Sequence, residues 1–262
     1  MAAAACVLDN LDRSSSVVQS TIFPLSLDAR LAPNAPTREA YLPFLRSRYY
    51  HGDGVTARAS PWATGFMLKG LTALALTAAN ASAVSDAADF AHAVLTSRGP
   101  HSWLGMIERH NATMTMEAWD AASGSGTMSH PWNAAPAYLV PRHLVGLRPL
   151  EPAFARVLVA PVLSARLKTA ALRLPTLRGV FEVNVTLAPT RVAVSLALPG
   201  NTLADVCLPA YAIAASPSRV AVSVDGVVTP ASARGGMACV EGVRPGRRVV
   251  EAAAVARVDD LA

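Results

Sequence analysis

Between residues 37 and 146, apolar side chains recur at three- and four-residue spacing, whereas beyond residue 153 they fall into short alternating or continuous runs. The first pattern is helical. Thr37 can cap a segment in which Tyr41, Phe44 and Leu45 share a face, and Ser60-Pro61 forms an N-cap and first-turn pair ahead of Trp62, Phe66, Leu71 and Leu74. Ser85 is expected to open a third helix carrying Phe90 and Val94. A fourth is expected after Pro131 and should stop at Gly146, with Pro136 and Pro141 marking a start or a kink. The second pattern predicts strands at Arg156 to Ala160, Val180 to Leu187, Arg191 to Leu198, Asp205 to Leu208 and Val220 to Val224, with Asp225-Gly226 as a hairpin turn.

Short strands at this spacing imply a sandwich or barrel. The change of period at Pro149-Leu150-Glu151-Pro152 puts a boundary near residues 147 to 153, giving a helical domain over 1–147 and a β domain over 148–262. At ordinary helix and loop lengths the helical part holds about five or six helices, roughly half of what a closed ring of helical hairpins requires.

Composition changes this picture little. Of the 262 residues, 52% are hydrophobic, but much of that is alanine. The longest apolar run, Leu71 to Val84, is broken by Thr77, Asn80 and Ser82 and is shorter than the roughly 18 to 20 residues of a membrane span. The net charge of +5 comes from scattered arginines without a basic run or interleaved aromatics, which argues against a nucleic-acid surface. Cys6, Cys207 and Cys239 are too few and too dispersed for a disulfide framework or a zinc site, and are expected to be core or surface residues. No cofactor and no metal is implied. Three sequons, beginning at Asn80, Asn111 and Asn184, lean toward a secretory compartment.

The chemistry concentrates between Ser102 and Pro152. Trp103, Trp119 and Trp132, three of the chain's four tryptophans, lie here with Glu108, Glu117, Asp120, His110 and His130. Sugar sites combine such groups: flat aromatic faces pack on the apolar side of a pyranose, while carboxylates bind hydroxyls or move protons. Each residue also has a plainer reading. Trp119 suits a core position, Asp120 and Glu108 suit pairing with nearby arginines, His130 can serve a helix start, and His110 has no assignment.

The order of these residues resembles the bacterial-type α-L-rhamnosidase family. Ser102-Trp103-Leu104-Gly105-Met106-Ile107-Glu108-Arg109, followed by Ala112-Thr113-Met114-Thr115-Met116-Glu117-Ala118-Trp119-Asp120, is similar to the stretch that bears that family's catalytic base. Thirteen residues beyond Glu117 comes Ser129-His130-Pro131-Trp132-Asn133-Ala134-Ala135-Pro136, similar to its His-containing helix start. Pro141-Arg142 and Gly146 to Phe154 resemble the connection to its C-terminal sandwich; Pro175 to Gly179 and Leu198 to Leu208-Pro209 resemble that sandwich's strands and turns.

The resemblance implies the end of an (α/α) six-hairpin toroid followed by an antiparallel β-sandwich. It also implies a metal-free enzyme that hydrolyses terminal α-L-rhamnose from a glycoside or polysaccharide with inversion, using two carboxylic residues. By that resemblance Glu117 is the general base, His130 contacts the sugar, and Trp103 and Trp132 wall the pocket. The family's general acid lies upstream in a segment rich in Asp, Arg and Trp. Nothing between Met1 and Thr37 has that arrangement, and Asp9, Asp12 and Asp28 lack its neighbours. Two expectations follow: the chain is part of a rhamnosidase, inactive alone, or a remnant that binds a sugar or a protein partner without hydrolysis.

Overall fold

The computed structural model describes residues 42–255 apart from 44, 52, 53, 56–58, 79, 125 and 214–216. The expectations at Thr37, Tyr41 and Phe44, and those concerning residues 1–37 and Cys6, lie outside the described residues. The described chain forms two compact units. One contains residues up to Leu74 together with Phe90–Leu139, and the other contains Ala75–Asp89 together with Val140 onward.

Helix α1 (Pro61–Thr77) begins where the sequence predicts, with the Ser60 hydroxyl accepting the Ala63 N–H at 3.2 Å. Helix α2 (Ala81–Leu95) starts earlier than expected. Its cap is Asn80, whose Oδ1 accepts the N–H groups of Ser82 and Ala83, so Ser85 lies inside the first turns rather than at the start. Helix α3 (Trp103–His110) was hidden by its length of eight residues; it is capped by Ser102, whose hydroxyl accepts the Gly105 N–H, and ends on Asn111 in the left-handed region. The helix expected after Pro131 is broken as its prolines require: a 3₁₀ turn (Pro131–Asn133), α4 (Ala135–Leu139) and a π turn (Val140–Leu144). A two-stranded ribbon, β1 (Tyr50–His51) with β2 (Gly54–Val55), precedes α1.

The second unit contains a β-sandwich. Its strands are β3 (Leu147–Pro149), β4 (Arg156–Val159), β5 (Thr169–Thr176), β6 (Gly179–Ala188), β7 (Arg191–Leu198), β8 (Leu203–Leu208), β9 (Val220–Val224), β10 (Val227–Val228), β11 (Ser232–Arg234), β12 (Met237–Val243) and β13 (Gly246–Ala254). One sheet has the order β10-β9-β13-β7-β6-β5 and the other β11-β12-β8-β4-β3. Alternation along β6 and β7 sends Phe181, Val183, Val185, Val192, Val194 and Leu196 inward, where they meet Val206 and Leu208 of β8 and Val240 of β12 in one core. The turn at Asp225-Gly226 has positive φ at both residues (51° and 82°), as the two-residue hairpin between Val224 and Val227 demands.

The pairing is not wholly antiparallel, because β4 and β8 run parallel from Arg156↔Leu203 to Val159↔Val206. Three strands of the opposite sheet separate them in sequence and return the chain to the end where β4 began. Buried Asp205 secures this exception, accepting three bonds from the Arg156 guanidinium and one from the Gly242 N–H at the irregularity in β12. Arg178 links two turns by donating to the carbonyls of Ala153 and Asn201, each at 3.0 Å.

One expectation is overturned outright. Cys207 and Cys239 sit directly opposite on β8 and β12 and form a disulfide. Their separation of 32 residues in sequence concealed a cross-strand register that only the sheet creates.

Candidate active site

The site is built on two short antiparallel segments, residues 115–117 and 127–130. The Glu117 N–H donates to the Thr127 carbonyl at 2.9 Å, and the His130 N–H donates to the Thr115 carbonyl at 2.7 Å. The Thr115 hydroxyl adds a bond to the His130 carbonyl at 2.9 Å. This pairing brings Glu117 and His130 together although thirteen residues separate them in sequence. Gly124 and Gly126, both at positive φ, lie between the two segments.

The ribbon is held from behind by Asn133. Fully buried, Asn133 donates through Nδ2 to the carbonyls of Met116 and Glu117, the latter at 2.7 Å. Its own carbonyl accepts the Trp103 indole N–H at 2.9 Å. Trp103 in turn packs edge-on against Trp119, with centroids 5.1 Å apart, and Trp119 donates to the Ala59 carbonyl at 2.7 Å. Both indoles are buried. Trp119 is therefore a core residue. Trp103, expected as a wall beside Trp132, is buried and bonds through its N–H to Asn133, the residue that holds the ribbon's backbone. What it does line is an apolar hollow of about 300 Å³ with Met106, Met114 and Pro136, and Glu117 is not among the lining residues.

The Glu117 carboxylate is about one-third exposed, and its Oε2 accepts the Thr127 N–H at 2.9 Å and lies 3.2 Å from the Thr127 hydroxyl. The His130 Nδ1 is 2.8 Å from that hydroxyl and 3.6 Å from Oε2. The Thr127 N–H holds the carboxyl below the ordinary carboxylate range; the Thr127 hydroxyl and the nearby imidazole add to this, and partial burial opposes it. Gly126 is required here: its φ is +127°, and a Cβ would stand 3.2 Å from Oε2. Beside this cluster, Trp132 lays its ring against His130, with centroids 4.1 Å apart and planes 33° from parallel, while remaining 51% exposed. Glu117, His130 and Trp132 are thus gathered, and Trp103 is not.

Glu108 pairs with Arg98 at 2.6 Å on the surface. Asp120 precedes a 3₁₀ turn without capping it. Among the described residues, no group of three or more His, Cys, Asp or Glu could hold a metal ion. A second hollow, of about 760 Å³, lies in the sandwich against Leu150, Phe154 and Leu174, with Glu151 as its one acidic residue. Sequence reasoning missed Thr127, Gly126 and Asn133, since none belongs to a residue type that announces proton chemistry.

Residues 146–219 match the model of the bacterial alpha-L-rhamnosidase C-terminal domain. The chain resembles the C-terminal part of α-L-rhamnosidases. Solved structures extend the likeness beyond the matched domain. The α-L-rhamnosidase from Dictyoglumus thermophilum superposes with a TM-score of 0.67 at 16% identity, covering 92% of this chain and 25% of that one. The Streptomyces avermitilis α-L-rhamnosidase complexed with L-rhamnose gives 0.53 at 17% identity, covering 90% and 26%. The enzyme from Aspergillus terreus gives 0.56 at 18%, covering 87% and 24%. At these identities the likeness to rhamnosidase structures is one of fold, and the chain spans about a quarter of their length. Comparison with curated protein sequences finds no match.

Proposed function

We propose that this chain supplies the general base of an inverting α-L-rhamnosidase, with Glu117 as the base and His130 and Trp132 as sugar-binding residues. The observation that carries the reading is the Glu117 carboxylate, held ionised by Thr127, 3.6 Å from the His130 ring, on which the half-exposed Trp132 lies. A base must be anionic before water arrives, and two donors from one residue keep it so. An exposed indole offers the flat apolar surface that a pyranose face packs against. In an inverting reaction, Glu117 takes a proton from water as that water attacks the anomeric carbon. A carboxylic acid on the opposite side of the ring protonates the departing oxygen. Trp103 belongs to the support of this site. The helical glycosidase part gives way to the sandwich near residue 147, and the substrate is a terminal α-L-rhamnoside.

The test has two arms. Titrating L-rhamnose into the chain should quench or shift Trp132 fluorescence saturably, and the response should vanish in Trp132→Ala. In a polypeptide that hydrolyses aryl α-L-rhamnosides and carries this segment, Glu117→Gln should lower kcat by about 10²- to 10⁴-fold, the usual contribution of a general base. Unchanged kcat in that variant removes Glu117 from the chemistry. The chain alone is expected to show no turnover, and turnover that survives Glu117→Gln would place the base elsewhere.

A further inference from the structure

We infer that Thr127 is a positioning residue that fixes the neutral His130 ring in the tautomer protonated on Nδ1, leaving the Nε2 lone pair to accept a hydrogen bond from a substrate hydroxyl. The last clause rests on the reading of His130 as a sugar-binding residue; the tautomer does not.

The inference comes from counting protons. The Thr127 hydroxyl stands 3.2 Å from Glu117 Oε2 and 2.8 Å from His130 Nδ1, and it has one hydrogen to give. An ionised carboxylate only accepts, so the hydrogen goes to Oε2 and an oxygen lone pair faces Nδ1. If Nδ1 carried a lone pair as well, two acceptors would meet at 2.8 Å. The ring nitrogen must therefore bring the proton. The opposite arrangement, with the hydroxyl donating to Nδ1, would turn its lone pairs toward an anion at 3.2 Å. The distance of 3.6 Å between Nδ1 and Oε2 favours the same assignment, since an N–H dipole aimed at the carboxylate is attracted and a lone pair is repelled.

The hydroxyl cannot easily turn away from this duty. The backbone of Thr127 is clamped to Glu117 at both polar groups: its N–H donates to Oε2 and its carbonyl accepts the Glu117 N–H, each at 2.9 Å. One side chain thus sets the orientation of two neighbours. A neutral imidazole with its proton on Nδ1 can only accept at Nε2, at the far edge of the ring. That edge selects a ligand group with a hydrogen to donate, which makes His130 a discriminator between a hydroxyl-bearing sugar carbon and its deoxy counterpart.

The experiment is a long-range proton–nitrogen correlation spectrum of the ¹⁵N-labelled chain near pH 8, with the His130 signals assigned by their loss in His130→Gln. The expected native pattern is a protonated Nδ1 and an unprotonated Nε2. In Thr127→Val, where a methyl replaces the hydroxyl, the ring should revert to a population dominated by protonated Nε2, and Thr127→Ser should restore the native pattern. The other five histidines report whether the fold is kept. A native ring already protonated on Nε2, or a folded Thr127→Val with an unchanged tautomer, overturns the inference. If the valine variant fails to fold, the native and serine spectra decide it. A protonated Nδ1 whose Nε2 signal ignores saturating L-rhamnose leaves the tautomer standing and counts against the sugar reading.

Discussion

The sandwich and the segment from Ser102 to Leu139 hold their shape in different ways. In the sandwich, position is set by ladders: β7 alone pairs along its length with β6 on one side and β13 on the other, and the side chains beneath share one core. In the site segment, only short pieces of ribbon and helix are regular. Its geometry depends on single side chains that bond to backbone, namely Ser102, Asn133, Trp103 and Trp119. Distributed pairing tolerates the loss of any one polar group, whereas individual ties do not. Conversely, the sandwich concentrates its sensitivity in packing. Glu117, His130 and Trp132 lie on the segment that is tied rather than laddered, where a carboxylate can be aimed without breaking a sheet.

This contrast predicts that the largest effects on stability come from the sandwich core. Phe181→Ala removes a fully buried ring near the start of β6 and should cost about 3–5 kcal/mol, read as a fall in the denaturant midpoint of the β unit. Fluorescence from the site's tryptophans should respond less than the β-sheet circular dichroism. Reducing the Cys207–Cys239 bridge, or replacing both residues with alanine, comes next. The bridge closes a loop of 32 residues, for which the chain-entropy model gives about 3–4 kcal/mol. A melting temperature unchanged by reductant would mean the two thiols are merely neighbours.

How much of this was legible beforehand follows the same division. The limits of β7 and β9, the Asp225-Gly226 turn and the Ser60 cap could be read because each is a local pattern with a local cause. Strand β13 could not, since its Gly246-Arg247-Arg248 start and its run of alanines carry weak β propensity, and its place is fixed by neighbours on both sides. The disulfide was invisible for the same reason: register is a property of the sheet. At the site, Glu117, His130 and Trp132 stood out as residue types suited to sugar chemistry. Thr127 and Asn133 did not, because a threonine and an asparagine acquire meaning only from what they touch. Trp103 shows the converse: its type suits a sugar site, while its contacts, an N–H bonded to the Asn133 carbonyl and a buried ring, become visible only in the fold.

A middle-sized effect tests whether the site depends on individual ties. Asn133→Ala leaves the buried carbonyls of Met116 and Glu117 without their amide donor, at a cost of about 1–3 kcal/mol. The loss should be local. Hydrogen exchange should quicken at the Glu117 and His130 amides, which form the ribbon, while amides of β6 and β7 stay protected. Equal loss of protection in both regions would mean that the site has no independent stability and that the contrast drawn above is wrong.

The smallest expected effect is on pH dependence. The Thr127 N–H, with its hydroxyl and the His130 ring, lowers the Glu117 carboxyl in the folded chain below its ordinary value of 4.5. The unfolded chain therefore binds a proton at Glu117 at a higher pH than the folded chain does, and folding is favoured by the ionised form. That contribution is fully present above the ordinary carboxylate value and is lost as pH falls through the lower, folded one. With the carboxylate one-third exposed, solvent screening keeps the effect small. Melting curves read by tryptophan fluorescence should show the site segment weakening between pH 4.5 and more acid conditions, and Glu117→Gln should flatten that slope without altering the β unit's own acid response. Were the slope to steepen in the glutamine variant, or to lie above pH 5 in the native chain, the carboxyl would have to be raised rather than lowered, and the donors from Thr127 would not be made in solution.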